Sequence, residues 1–200
     1  MAPIMRKSSS NYSRKGFTLL ELLVVIAIIG ILSGMMYSAA TGALSKAERA
    51  HTETTAANLK TAISAYFTEY RKYPVKADVD ESDELLTDSV LMDVLLGADS
   101  EKEKGGLNPR GIAFFTDKAA KPSGDGKYRK GVRLEADGGG ELWDPYAKYY
   151  HVRLDLDYNN RTERPAWDSG DTEVLPESIL IWSSGKDGDE MTSKDNIKTW

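Results

Sequence analysis

Chemistry in this chain of 200 residues gathers at two sets of carboxylates. Glu21 stands inside the apolar run "FTLLELLVVIAIIGIL", where an acid opposes membrane insertion by about 1 to 3 kcal/mol near the interface and by more if deeper. An acid placed there without a partner is costly, so its position calls for a reason. Asp187, Asp189, Glu190 and Asp195 fall within nine residues near the carboxyl end. Such a cluster of carboxylates is compatible with binding a divalent cation, which takes oxygen ligands. The loop is no EF-hand, because Met191 and Thr192 stand where an acid and the turn glycine belong. Lys186, Lys194 and Lys198 oppose a cation, so a solvated acidic loop is the alternative.

Other chemistry is thinly represented. Cysteine is absent, which excludes a disulfide framework, thiolate metal ligands and a cysteine nucleophile. His51 and His151 sit in no recognisable triad or zinc motif. "SGDGK" at 123–127 lacks the hydroxyl residue and the spacing of a phosphate loop, and Asp155 and Asp157 on one strand face read as solvated acids. No enzymatic activity is expected, and a membrane-anchored periplasmic enzyme is the weaker rival.

The elements that must position these residues follow from charge and periodicity. Residues 1–16 carry Arg6, Lys7, Arg14 and Lys15 and no acid, whereas residues 73–200 carry 27 acids against 17 bases. An acidic body argues against a nucleic-acid groove. Residues 17–40 are apolar and span about 36 Å as a helix, against about 30 Å of hydrocarbon, so one pass fits. Bases crowd its amino side, which keeps the leader cytoplasmic and exports the body. An ordinary signal peptide cut near Ser38, Ala39 and Ala40 is the alternative, but the apolar run passes without a break into a helical pattern. Leu59, Ala62, Ile63, Tyr66, Phe67 and Tyr70 mark one face of that helix, which the sequence carries to about Lys72 before Pro74 ends it.

Beyond Val75 the pattern predicts a helical, acid-rich region over 75–104, with Leu85, Leu86, Val90, Leu91, Val94 and Leu95 on its apolar face. Strand candidates follow at 111–115, 131–136, 148–157 and 177–184, separated by Gly, Asn and Ser turn signals. The expected fold is α+β, a long amino-terminal helix whose outer half packs on a small antiparallel sheet.

"KGFTLLELLVVIAIIGIL" resembles the amino-terminal signature of the type IV pilin superfamily, which includes the pseudopilins of type II secretion. The resemblance implies a pilin-like fold, cleavage after Gly16 by a prepilin peptidase, methylation of Phe17, and Glu21 as the fifth mature residue. The new amine on Phe17 then supplies a cationic partner. Two such charges at about 4 Å gain on the order of 4 kcal/mol at an effective dielectric near 20. A Glu21 that merely snorkels to the headgroups is the alternative. Ser38 stands where many members have a proline, with Gly30 and Gly34 nearby as small residues.

Two further stretches resemble major pseudopilins. "ELWDPYAKYYHVRLDLDYNN" is similar to their "DPWGNPY" turn and following strand through Asp144, Pro145 and Tyr149, with Tyr146, Ala147 and Lys148 departing from it. "LIWSSGKDGDEMTSKDNIKTW" is similar to their calcium-holding end, which implies Asp187, Asp195, Asn196 and the Ser184 carbonyl as ligands and Asp189 as a further candidate. The implied domains are a cleaved leader (1–16), a transmembrane and fibre-core helix (17–40), its amphipathic continuation (41–73) and an exported globular domain (74–200). The implied role is a subunit of a helical homo-oligomeric pseudopilus. It would be anchored by one pass in the inner membrane with its body in the periplasm, and would work with an assembly platform and minor pseudopilins. A type IV pilus subunit for adhesion, motility or DNA uptake is the alternative, disfavoured by the lack of a cysteine-closed loop and by the calcium-like tail.

Overall fold

The structure, a computed structural model, describes residues 16–200, except the side chains at positions 38 and 39; the leader lies outside the described residues but for Gly16. The chain divides into two compact units that part between Ser45 and Lys46. One helix, α1 (Leu19–Tyr70, 52 residues), contributes to both. In the first unit its Leu, Ile, Val and Met side chains stand exposed on every side. A helix apolar all round is one that lipid or other helices must cover. It is long and apolar enough to cross a membrane.

In the second unit the helix becomes one-sided. Leu59, Ala62, Ile63 and Tyr66 are buried in the main core, with Phe67 and Tyr70 half-buried against it, as the spacing predicts. The helix stops at Tyr70, two residues earlier than the sequence suggested. Arg71 turns left-handed (φ 56°) while its N–H still reaches the Phe67 carbonyl at 2.8 Å, which brings the chain to Pro74 already out of helix.

The remaining elements are β1 (Leu85–Leu86), α2 (Ser89–Leu96), α3 (Asp99–Lys102), β2 (Lys121–Gly124), β3 (Lys127–Arg129), β4 (Gly131–Leu134), β5 (Gly140–Trp143), β6 (His151–Leu154), β7 (Thr162–Glu163), β8 (Val174–Leu175), β9 (Ile179–Ser183) and β10 (Ile197–Lys198). The central sheet runs β1-β6-β9-β10, antiparallel throughout. Its register pairs Val152 with Ile181 and Leu154 with Ile179, and all four join the core that holds the α1 stripe. On the opposite face Leu180 and Trp182 pack with Trp167, Leu175 and Trp200 in a second cluster. β9 is therefore buried on both sides and reads as a continuous apolar run, "ILIW".

The helix expected over 75–104 is a correction. Only Ser89–Leu96 forms a full helix, begun by Asp88, whose carboxylate accepts the Val90 N–H at 3.1 Å, and ended by Gly97 at φ 79°. A Cβ on Gly97 would lie 2.9 Å from the Gly111 carbonyl oxygen, so the loop packs against a position only glycine can fill. Leu85 and Leu86 pair instead with Val152 and His151, because the edge of the sheet offers them hydrogen bonds that an isolated turn cannot. Val90 is exposed, and Met92 takes its place in the core. The segment 111–115 is no strand either. The N–H groups of Phe114 and Phe115 both reach the Leu95 carbonyl, and Phe115 is buried under α2.

Asn108 fastens that loop. Its amide donates to the carbonyls of Val94 and Ile112, both at 2.8 Å, and its oxygen accepts from the Tyr70 hydroxyl at 2.7 Å and the Ile112 N–H at 3.1 Å. A fully buried amide with its bonding capacity used on both sides ties the end of α1 to α2.

Candidate functional site

Gly16 and Phe17 precede the first turn of α1 and are exposed, with Phe17 at 82%. The peptide between them is open to attack in this unit. Thr18 and Glu21 close a capping box. The Glu21 N–H donates to Thr18 Oγ1 at 3.2 Å, while Glu21 Oε2 accepts from the Thr18 N–H and hydroxyl, both at 2.8 Å. These bonds satisfy donors that every helix start leaves open and place negative charge at the positive end of the dipole. The T-x-x-E pattern was readable in "FTLLE" and shows that Glu21 has a local partner in addition to any amine. Both Thr18 bonds use the same oxygen, and a carboxylate has about four lone-pair sites, so capacity remains for an amine. The helix continues unbroken through Ser38, whose side chain lies outside the described residues.

In the second unit the carboxyl-terminal loop leaves β9 at Ser183 and Ser184 and returns at β10. It is anchored by Asp144, which is wholly buried. Asp144 Oδ1 accepts the N–H groups of Tyr146 (2.8 Å) and Lys148 (2.9 Å), closing the turn over Pro145, and Oδ2 accepts the Ser183 hydroxyl at 2.6 Å. Ser183 Oγ in turn accepts the Gly185 N–H at 3.1 Å. Burial pushes the Asp144 carboxyl up to about 6, against the pull of those three donors, since no cation neutralises it at contact. Asp144 and Ser183 were not predicted as site residues. The Asp-Pro turn signal was visible, but its link to the loop was not, because the two lie 39 residues apart.

Inside the loop, Asp195 Oδ2 accepts the N–H groups of Lys186 (2.8 Å) and Asp187 (3.1 Å), which fixes the turn. Gly185 sits at φ 66°, and a Cβ there would lie 2.5 Å from the Asp195 carbonyl oxygen, so the loop closes around a glycine. Asp187 Oδ1 accepts the Asp189 N–H at 2.9 Å, and Asp189 Oδ1 the Met191 N–H at 3.0 Å. The Asn196 amide donates to the Glu190 carbonyl at 2.6 Å. The predicted ligands thus share one loop, with Ser184 and Asn196 buried and Asp187 and Asp189 exposed. Asp187, Asp189 and Asp195 do not converge as a set of three carboxylates among the described residues. The Glu190 side chain turns away from these oxygens toward His151, while its carbonyl stays in the loop.

Two atoms of this loop test its fit to a hard cation. Asp195 Oδ1 and Asn196 Oδ1 are buried and meet no hydrogen-bond donor. A buried oxygen left so costs about 1 to 3 kcal/mol. Two adjacent residues that keep a bare oxygen each are what a calcium-class ion would use, and the uncharged Asn196 supplies one of them.

Comparison with known proteins agrees at the amino end. Residues 11–37 match the prokaryotic N-terminal methylation motif. The chain is 35% identical over 65 residues to the type II secretion system core protein G of Pectobacterium carotovorum, covering 32% of this chain and 42% of that protein. It is 36% identical over 64 residues to type IV major pilin proteins PilE1 of Neisseria gonorrhoeae, covering 32% of this chain and 39% or 36% of each relative. The matched part spans about two fifths of the length of these curated relatives. No solved structure matches. With a methylation motif, a single long helix beginning at it and an antiparallel sheet packed on the helix's outer half, the chain resembles a type IV pilin-like protein. Over the matched part the chain resembles the type II secretion core protein G and the PilE1 pilins alike.

Proposed function

We propose that the chain is a structural subunit, not an enzyme, which a prepilin peptidase cuts after Gly16 and which assembles with copies of itself into a pseudopilus serving type II secretion. In this reading Phe17 is methylated, and its amine pairs with Glu21 of a neighbouring subunit. The single inner-membrane pass holds the subunit before assembly, with the body in the periplasm, and an assembly platform and minor pseudopilins act on it. The domain divisions at 16, 40 and 73 belong to the same proposal. The observation that carries the choice of a pseudopilus is the carboxyl loop, where the bare buried oxygens of Asp195 and Asn196 await a cation. Calcium would be held there by Asp195, Asn196, Asp187 and the Ser184 carbonyl, with Asp189 as a further candidate. Its charge would satisfy the oxygens that the chain does not.

A second reading, a type IV pilus subunit, is favoured by the matches to the PilE1 proteins at 36% identity, against 35% for the secretion protein. Deleting the gene separates the two. Loss of protein export with surface pili intact supports the pseudopilus, and loss of pili with export intact replaces it. The mass of the protein extracted from membranes tests the class: a chain beginning at methylated Phe17 is expected, and one beginning after Ala40 would rule the processing out. Calcium at millimolar concentration is expected to raise the melting temperature, and removing the metal with a chelator to reverse the gain; no response removes the metal from the proposal.

A further inference from the structure

We propose that Glu84, His151 and Glu190 form a second cation site, for a borderline divalent transition metal of the zinc class, separate from the carboxyl loop's own oxygens. The three residues come from segments remote in sequence: Glu84 immediately before β1, His151 opening β6, and Glu190 from the loop between β9 and β10. The pairing of Leu86 with His151 and the return of the carboxyl loop bring one donor atom of each within 4.8 Å of the others. His151 Nδ1 lies 2.5 Å from Glu84 Oε1 and 3.5 Å from Glu190 Oε2.

The hydrogen bonds do not close this cluster. An imidazole Nδ1 carries at most one N–H, and that bond goes to the nearer Glu84 oxygen. Glu190 Oε2 is a buried atom that meets no donor from the ring or any other residue, and the Glu84 and Glu190 carboxyls face each other so closely that either they share a proton or a cation lies between them. Protonating the ring at its other nitrogen adds charge but no donor at this point. Arg153 lends Glu84 positive charge from a distance, yet no Lys or Arg among the described residues forms an ion pair with Glu84 or Glu190. Two carboxylates around one ring nitrogen, with one oxygen buried and bare, need one more positive centre.

The donor set selects its class. One nitrogen and two carboxylate oxygens match the three-protein-ligand pattern of zinc, with a fourth position left for water, whereas calcium takes oxygen only. Donors around a tetrahedral zinc bound at about 2.0 to 2.2 Å stand roughly 3.3 Å apart, between the two distances found from Nδ1. The ring is already held, stacked on the fully buried Trp182 at 5.3 Å and 10°. A metal here would fasten the carboxyl loop to the β1–β6 edge. Because Asn196 Nδ2 binds the carbonyl of Glu190, it would also stiffen the loop that carries Asn196.

The test uses the full chain in detergent at fixed calcium, with zinc sulfate added in one series and cobalt(II) chloride in another. Zinc at a hundredfold excess over its dissociation constant should raise the melting temperature by about 5 °C or more, and cobalt should give visible d–d absorption. Both signals should vanish in His151→Asn and in Glu84→Gln, each first shown to melt cooperatively without added metal. If His151→Asn does not fold, Glu84→Gln decides, since that side chain lies at the exposed edge. Absence of a zinc response in the native chain overturns the proposal. So does a full-sized response in the variants, which would put the metal in the 184–196 loop or elsewhere. Neither outcome depends on whether the chain serves a pseudopilus or a pilus.

Discussion

Asp144 and Glu21 show how single carboxylates are held by opposite means. Asp144 is raised to about 6 by burial despite three donors, whereas an unfolded chain titrates it near 3.8. The folded protein therefore binds this proton more tightly than the unfolded chain does. The stability it contributes is full below about pH 4 and is lost as pH rises through 6, a change on the order of 2 to 3 kcal/mol. Asp144→Asn keeps an oxygen for the Tyr146 and Lys148 N–H groups and removes the titration. Denaturant melts in chelator should thus show a falling stability between pH 4 and 6.5 in the native chain and a flatter profile in the variant. Asp144→Ala strands three donors and should cost about 3 kcal/mol or more at any pH in that range. Glu21 poses a different question, because its Thr18 cap contributes about 1 kcal/mol without any neighbour. Glu21→Gln keeps an acceptor for the cap and loses the charge. If the amine of a neighbouring subunit is the partner that matters, Gln should block fibre assembly as fully as Ala; assembly retained in Gln would assign the residue to the cap alone.

Among the elements, legibility followed local pattern. The outer half of α1 and the strands β4 and β6 could be read because their apolar residues repeat with the period of the element they form, and β9 because it is an unbroken apolar run between turn signals. The strands β2, β3 and β7 are short and largely polar, and β8 is only the pair Val174–Leu175, too short to mark a period. The segment 75–104 misled because "ELL" and "SVLMDVLL" share a helical spacing, while the hydrogen bonds that divide them come from β6 and from the Asp88 cap. The candidate calcium residues were readable as a cluster of oxygens in one loop, but not which oxygens the turn consumes. That was decided by Lys186, Asp187 and Asp189 N–H groups, which no side-chain pattern records. Asn108 is the plainest case: an Asn-Pro dipeptide reads as a turn, and its four bonds to α1, α2 and its own loop are invisible without the fold. Asn108→Ala removes all four and leaves the Val94 carbonyl without that donor and the Tyr70 hydroxyl proton without its acceptor. It should cost about 2 to 4 kcal/mol, read as a lower denaturation midpoint with an unchanged denaturant slope.

At the scale of the whole molecule, the two units differ in what they require of their surroundings. Every residue of the main core, from Ala56 to Ile181, belongs to the second unit, and so does the tryptophan cluster. None of the residues 16–45 whose exposure is described is buried. The second unit also carries its own fastenings on the retained part of α1. Glu48 pairs with Lys130 at 3.1 Å and Lys60 with Glu177 at 2.7 Å, while Tyr66 donates its hydroxyl to the Leu107 carbonyl at 2.7 Å. Cutting the chain before Lys46 therefore removes apolar surface that only lipid or other helices can cover, and takes no side chain from the core. Residues 46–200 alone should be soluble without detergent and should melt in one cooperative transition. Fraying of the new helix start should stay confined to the turns before Thr52, the first wholly buried residue. Amide exchange would show it: protection from Thr52 onward, with the strongest values in Leu59 to Tyr66 and in β6 and β9. A fragment that aggregates or melts without cooperativity would mean that the apolar half of α1 contributes to folding the body as well as to membrane anchoring.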